Sequence, residues 1–372
     1  MSDAVPLITS GSVIALRLFD VAYAIDLAEA ERLWATQPVR ASRGRLQSIP
    51  PKAMSFGVPP VELSLDAVTV VLGGTSVRAD VIARLYDFGA ISLALHVPVR
   101  DMAWEAFIEC VNALDLTVGA GTPTTVWTEL LTRIKAVVGA ALIRPQPSTL
   151  EEDYLIGLVH TFSEKLTAEA LWQRIDLVPL LSGEQRALSE SARQDLLRQR
   201  FSYYVDDLAV ITWDRAFIYE PRGDSDVIDV LEVANAQLLE LRYYDELLDN
   251  ELPRMYELAG KARLATATLA ARKFANLARH LYTLVAEVTE LTERVDNALQ
   301  VTEDVYLARV YSAALDLYRV PAVNAAVERK LAIIRDTYAA LYDESASRRA
   351  ELLEFLILLL IAIEIVMALV RW

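Results

Sequence analysis

The chain has 372 residues, with 36 Lys and Arg against 51 Asp and Glu, a net charge of −15, three His and one Cys. A lone Cys110 closes no internal disulfide, and one Cys with scattered His96, His160 and His280 makes neither a Cys-rich zinc module nor a His-cluster metal site. The negative charge excludes a general nucleic-acid coat, and 54% hydrophobic residues exclude a disordered chain.

Met1 to Pro6 lack a basic segment leading into an apolar one, so no export signal is expected, and an early Asp3 without Arg argues against a mitochondrial presequence. Val13 to Ile25 is β-compatible, and Asp26 offers an N-cap to a helix reaching about Trp34. Arg40 to Pro60, with Gly44, Gly57 and paired prolines, predicts a loop that gathers Arg40, Arg43, Arg45 and Lys52. Val61 to Leu72 alternates and ends at Gly73-Gly74, a hairpin signal. Strands are expected over Val77 to Tyr86 and Ala90 to Val97, and a helix carrying Cys110 over Asp101 to Leu114. Before the C-terminal stretch the longest apolar run, Ala136 to Ile143, is too short to span a membrane. Tyr154 to Phe162 reads as a strand and Glu184 to Arg198 as a helix. Leu208 to Trp213 and Ala216 to Tyr219 form a hairpin around Asp214-Arg215. The pattern predicts an α+β domain over residues 1–222 with a mostly antiparallel sheet, built of ferredoxin-like units.

Beyond Pro221-Arg222-Gly223 the periodicity becomes heptad-like. One run is Val227, Leu231, Ala234, Leu238, Leu241, Asp245, Leu248, Leu252 and Met255; a second goes from Leu281 to Ala298; a third is Val327, Leu331, Ile334, Tyr338 and Leu341. These predict long coiled-coil-like helices over residues 223–347 and a homo-oligomer, with Pro253 and Pro321 kinking or ending their helices. Asp245 occupies a seam position, where a carboxylate fixes register or oligomer state; Arg242 is a local partner and Asp249 belongs to the same acidic stretch.

Leu352 to Val370 is almost wholly apolar, about 28 Å of helix against a hydrocarbon core of roughly 30 Å. This predicts a C-terminal transmembrane anchor spanning residues 348–372, with Arg348, Arg349 and Trp372 at the interfaces and Glu354, Glu364 and Arg371 as the polar residues in or beside the span. The positive flank keeps the bulk of the chain cytoplasmic, at a prokaryotic plasma membrane in preference to a mitochondrial inner membrane. The rival is an apolar helix buried inside a soluble oligomer.

Catalytic motifs are missing. Gly73-Gly74 precedes Thr75-Ser76-Val77-Arg78, not the Lys-Ser/Thr of a P-loop, and neither Gly-x-Gly-x-x-Gly nor Gly-x-Ser-x-Gly occurs. Glu151-Glu152-Asp153 and Asp206-Asp207 lack a third ligand and read as solvated strand entries. No cofactor or metal is expected.

Three segments resemble the required-for-meiotic-nuclear-division family of membrane-anchored proteins. They are Leu353-Glu354-Phe355 leading to Ala362-Ile363-Glu364-Ile365-Val366, Asp245-Glu246-Leu247-Leu248-Asp249, and Tyr86-Asp87-Phe88-Gly89-Ala90-Ile91. Leu352 stands where that family usually carries Arg. The resemblance implies a divergent prokaryotic-like member, membrane anchoring and assembly, with no established reaction; mitochondrial members support translation at the inner membrane. The expectation is therefore a tail-anchored, oligomeric scaffold, not an enzyme, whose partners are the bilayer, copies of itself and an unidentified protein. The rivals are an RNA- or ribosome-contacting factor using the basic loop, and an enzyme built on His96 or His160 with acidic groups.

Overall fold

Alternating apolar residues become strands wherever a turn allows them to pair. The computed structural model describes residues 6–36, 41–43, 59–145, 150–184, 186–223, 226–263, some positions between 276 and 289, and 305–370. In chain order come β1 (Ile8–Asp20), β2 (Ala22–Ile25), α1 (Leu27–Trp34), β3 (Ala41–Arg43), β4 (Val61–Leu72), β5 (Thr75–Leu85) and β6 (Ala90–Val99). They are followed by α2 (Trp104–Val118), α3 (Val126–Val138), β7 (Leu142–Pro145), β8 (Glu151–Phe162), α4 (Ala168–Arg174), α5 (Val178–Ser182) and α6 (Glu190–Leu196). Then come β9 (Arg200–Phe201), β10 (Leu208–Ile211), β11 (Arg215–Tyr219), α7 (Asp226–Arg263) and two further helices, Val305–Leu317 and Val320–Val370.

The protein is α+β. Among the described residues nine strands form one sheet in the order β3-β4-β5-β6-β1-β8-β11-β10-β9. Its pairings are antiparallel except β8 with β11, and β2 with β7 forms a separate two-stranded sheet. Period-two alternation gives the large sheet two faces. On one, Val13, Ala15, Val81, Ala83, Leu93 and Leu95 join a core with Trp104, Phe107, Val111 and Leu114 of α2 and Trp127, Leu130 and Ile134 of α3. The opposite face carries Ile14, Leu16, Arg84, Ala94 and Tyr154, and the start of α7 and the end of the Val305–Leu317 helix lie there. Both faces of the central strands are thus covered, which is why β6 is buried along most of its length.

The chain divides into two units, Met1–Glu240 with Arg294–Pro321, and Leu241–Glu293 with Ala322–Trp372. The division falls inside α7. In the first unit α7 is buried nearly all round, through Val230, Leu231, Val233, Ala234, Ala236 and Leu239. In the second unit the heptad positions Leu241, Leu248, Met255, Val327, Leu331 and Ile334 are buried.

Val13 to Ile25 is extended as expected, in two strands: the chain leaves the large sheet after Asp20, the Val21 N–H donates to the Gly89 carbonyl, and β2 enters the second sheet. Several other local expectations need correction. The helix expected over Glu184 to Arg198 begins only at Glu190, because Ser189 caps it by accepting from the Ala192 N–H. Asp101, expected in a helix, has φ 46°, so α2 starts at Trp104. Pro253 does not end α7, which continues to Arg263. Pro321 sits in the first turn of its helix, where no N–H is needed. The loop expectation for Arg40 to Pro60 is modified by β3, and residues 44–58 lie outside the described residues, as does most of the second heptad run.

Candidate functional site

In the first unit the densest polar cluster forms where α7 meets β5. Register places Glu62, Arg84 and Ser92 side by side on three adjacent strands, with His96 opposite Asp80. Asp229 and Glu232, three residues apart, share one side of α7. The Arg84 guanidinium donates to Asp229 at 2.6 Å, Glu232 at 2.7 Å and Glu62 at 3.2 Å. The Tyr86 hydroxyl donates to the second Glu232 oxygen at 2.9 Å. Burial alone would lower the Arg84 pKa, but Glu232 and Asp229 outweigh it and hold the guanidinium well above its ordinary value. Burial and the Glu232 charge push the Tyr86 phenol well above its own. Burial, with the Arg84 charge, lowers His96 from 6.5 to about 4, so the imidazole is neutral near pH 7.

Beside this cluster lies a cavity of about 60 Å³ lined by Ile14, Leu16, Ala94, Ser92, His96 and Ile228 among others. The Ser92 hydroxyl is buried and has no partner among the described residues. A space of that size holds a few waters, far below the roughly 300 Å³ at which small-molecule pockets begin. Arg84 is already engaged by three carboxylates, and His96, four residues along the strand from Ser92, is about 13 Å from it and cannot act as its base. No group of three or more His, Cys, Asp or Glu among the described residues could hold a metal ion. The cluster fastens α7 to the sheet through these ion pairs. The His160 ring meets a backbone carbonyl, that of Glu220 at 3.0 Å.

A second fastening closes the other face. Arg215, 8% exposed, donates to Asn112 and Asp115 of α2 and to the Leu180 carbonyl of α5. Sequence reading missed both arginine clusters, since their partners lie up to 148 residues away. A readable signal was β6, apolar on both faces and hence covered on both.

In the second unit the seam carboxylate finds its partner. Lys330 donates to Asp245 at 2.6 Å and pairs with Asp249 at 2.6 Å, bridging residues four apart on α7. Burial pulls the Lys330 pKa down, and its bonds to Asp245 and Asp249 more than reverse this. Arg242, the local partner expected for Asp245, is exposed, and Asp245 accepts from Lys330, 85 residues further on.

The Val320–Val370 helix runs through the apolar stretch. From Leu353 to Met367 its side chains are exposed on every side, with Phe355 at 64%, Leu358 at 65% and Leu360 at 63%. Glu354 and Glu364 are exposed in the same run. The Arg348 and Arg349 side chains, and Arg371 and Trp372 entirely, lie outside the described residues. Among the described residues no helix is long and apolar enough to cross a membrane; Leu353 to Met367 rises about 22 Å, whereas the sequence run from Leu352 to Val370 is longer.

These features define a class: an α+β protein with a nine-stranded sheet locked to its helices by buried ion networks, and an apolar helix that no described residue covers. The family described as "Uncharacterized protein MJ0711, N-terminal domain" matches residues 10–226, and the chain belongs to it. Uncharacterized protein MJ0711 of Methanocaldococcus jannaschii is 26% identical over 196 residues, 52% of this chain and 59% of that protein. The chain thus spans about three-fifths of the length of that relative. No solved structure matches the chain.

Proposed function

We propose that the protein is a membrane-anchored scaffold, held by the apolar helix of residues 352–370, oligomeric through its long helices, and presenting the α+β unit to a partner on the cytoplasmic side. The observation that carries this reading is the exposure of Leu353 to Met367 on all sides of the helix. A protein partner in a groove covers one stripe of a helix, whereas lipid covers the whole circumference. The resemblance of the Leu353 to Val366 pattern to the required-for-meiotic-nuclear-division family supports the same reading.

Alkaline carbonate treatment of membranes from cells making the full chain tests the anchor. The protein is expected to stay in the pellet, and a chain lacking residues 348–372 to move to the supernatant. Release of the full chain by carbonate would refute the anchor.

A further inference from the structure

We infer that Glu364 is the contact through which the apolar helix pairs with the same helix of a second copy of this chain. The inference rests on the membrane reading above and names the partner of that helix.

Glu364 lies near the middle of the apolar run, about 4.5 Å along the axis from the centre of residues 352–370. A carboxylate at that depth is among the costliest residues to insert, and its short side chain reaches neither interface easily. Between Glu351 and Val370 the sequence contains no Lys, Arg or His; Arg371, seven residues on and nearly on the same side, lies towards the end of the run and outside the described residues. Among the described residues Glu364 makes no hydrogen bond or ion pair. Its neighbours one and two turns away on the same side, Ile357, Leu360, Ile361 and Met367, are between 47% and 63% exposed. The helix therefore offers an apolar seam with one hydrogen-bonding group near its centre that no described residue covers.

A second copy supplies what is missing. Both copies would carry their α+β units on the same side of the bilayer, so their helices run parallel. A twofold axis then sets Glu364 against Glu364, a self-complementary contact. With one carboxyl in its neutral form, its O–H donates to an oxygen of the other, while the flanking Ile and Leu residues pack across the axis. Polar groups within membrane helices are rare and commonly meet another helix in this way. A heterologous partner would need a matching polar residue at the same depth; a second copy has one by construction.

The test uses the full chain in phosphatidylcholine vesicles, donor- and acceptor-labelled at the N-terminus. Energy transfer is followed as lipid is added to dilute the protein, and flotation after carbonate treatment reports insertion. Glu364→Gln is expected to associate within about twofold of the native chain, because an amide still hydrogen-bonds across the axis. Glu364→Leu is expected to insert at least as well but to associate roughly three- to tenfold more weakly. Equal association of inserted Glu364→Leu and native protein would overturn the pairing while leaving the anchor intact. Failure of the native chain to float after carbonate would overturn both.

Discussion

Arg84 and His96 sit on the same sheet face and divide the electrostatic work between them. Arg84 neutralises Asp229 and Glu232, which are 4% and 3% exposed in their side chains. Buried carboxylates left without a cation are far costlier than a matched apolar set, so the arginine is what lets α7 bring acids to a sheet face. His96 must stay uncharged beside that guanidinium. Its folded-state pKa is depressed from 6.5 to about 4, chiefly by burial and then by Arg84, against the opposing pull of Glu232 and Asp80. Between those two pH values the unfolded chain binds more protons than the folded one. The stability linked to His96 is therefore complete above pH 6.5 and is lost as the pH falls towards 4. A shift of that size corresponds to a loss on the order of 3 kcal/mol across the window. His96→Gln removes the titration, so urea midpoints of the native chain should fall more steeply with acidification than those of the variant. Parallel curves from pH 7 to pH 4 would show that His96 is already solvated.

Among the elements, α7 and the Val320–Val370 helix are joined in the second unit by Lys330 bridging Asp245 and Asp249. Asp249 is 61% exposed, so Asp245, at 32%, carries more of the interaction. A double-mutant cycle of Asp245→Leu with Lys330→Met should give a coupling of about 0.5–1.5 kcal/mol by urea unfolding. Additive losses would mean that the contact does not set register. The same elements show what was legible in the sequence. Gly73 and Gly74 have φ of 54° and 85°, the left-handed pair that a two-residue hairpin requires, and β4 and β5 follow from that turn and the alternation around it. The parallel pairing of β8 with β11 left no such mark, since no turn joins those strands and three helices intervene. Helix α3 was there to be read in Trp127, Leu130, Ile134 and Val138, all buried, but its end merges with the apolar run from Ala136 to Ile143 and hides the period. The seam position of Asp245 was legible; Lys330 as its partner was not, because a heptad pattern names a face and not the residue across it.

For the molecule as a whole, the net charge of −15 bears on the proposed attachment to a bilayer. A peripheral protein that binds through basic residues is attracted by anionic lipid and released by salt, because its attraction is screened within about 3 Å at 1 M. An acidic body is repelled by an anionic surface, so the membrane attachment proposed above acts through apolar area. Each exposed Leu, Ile or Phe between Leu353 and Met367 gains roughly 1.5–3 kcal/mol on leaving water, a term that salt strengthens slightly and lipid charge does not alter. Flotation with vesicles of pure phosphatidylcholine should therefore capture the full chain as completely as vesicles containing phosphatidylserine, and 1 M NaCl should release none of it. Initial capture on the anionic vesicles should be the slower of the two at low salt, and the difference should vanish as salt is added. Release by 1 M NaCl, or capture that requires phosphatidylserine, would assign the attachment to a local basic patch such as Arg40, Arg43, Arg45 and Lys52 and leave the exposed apolar helix to another role.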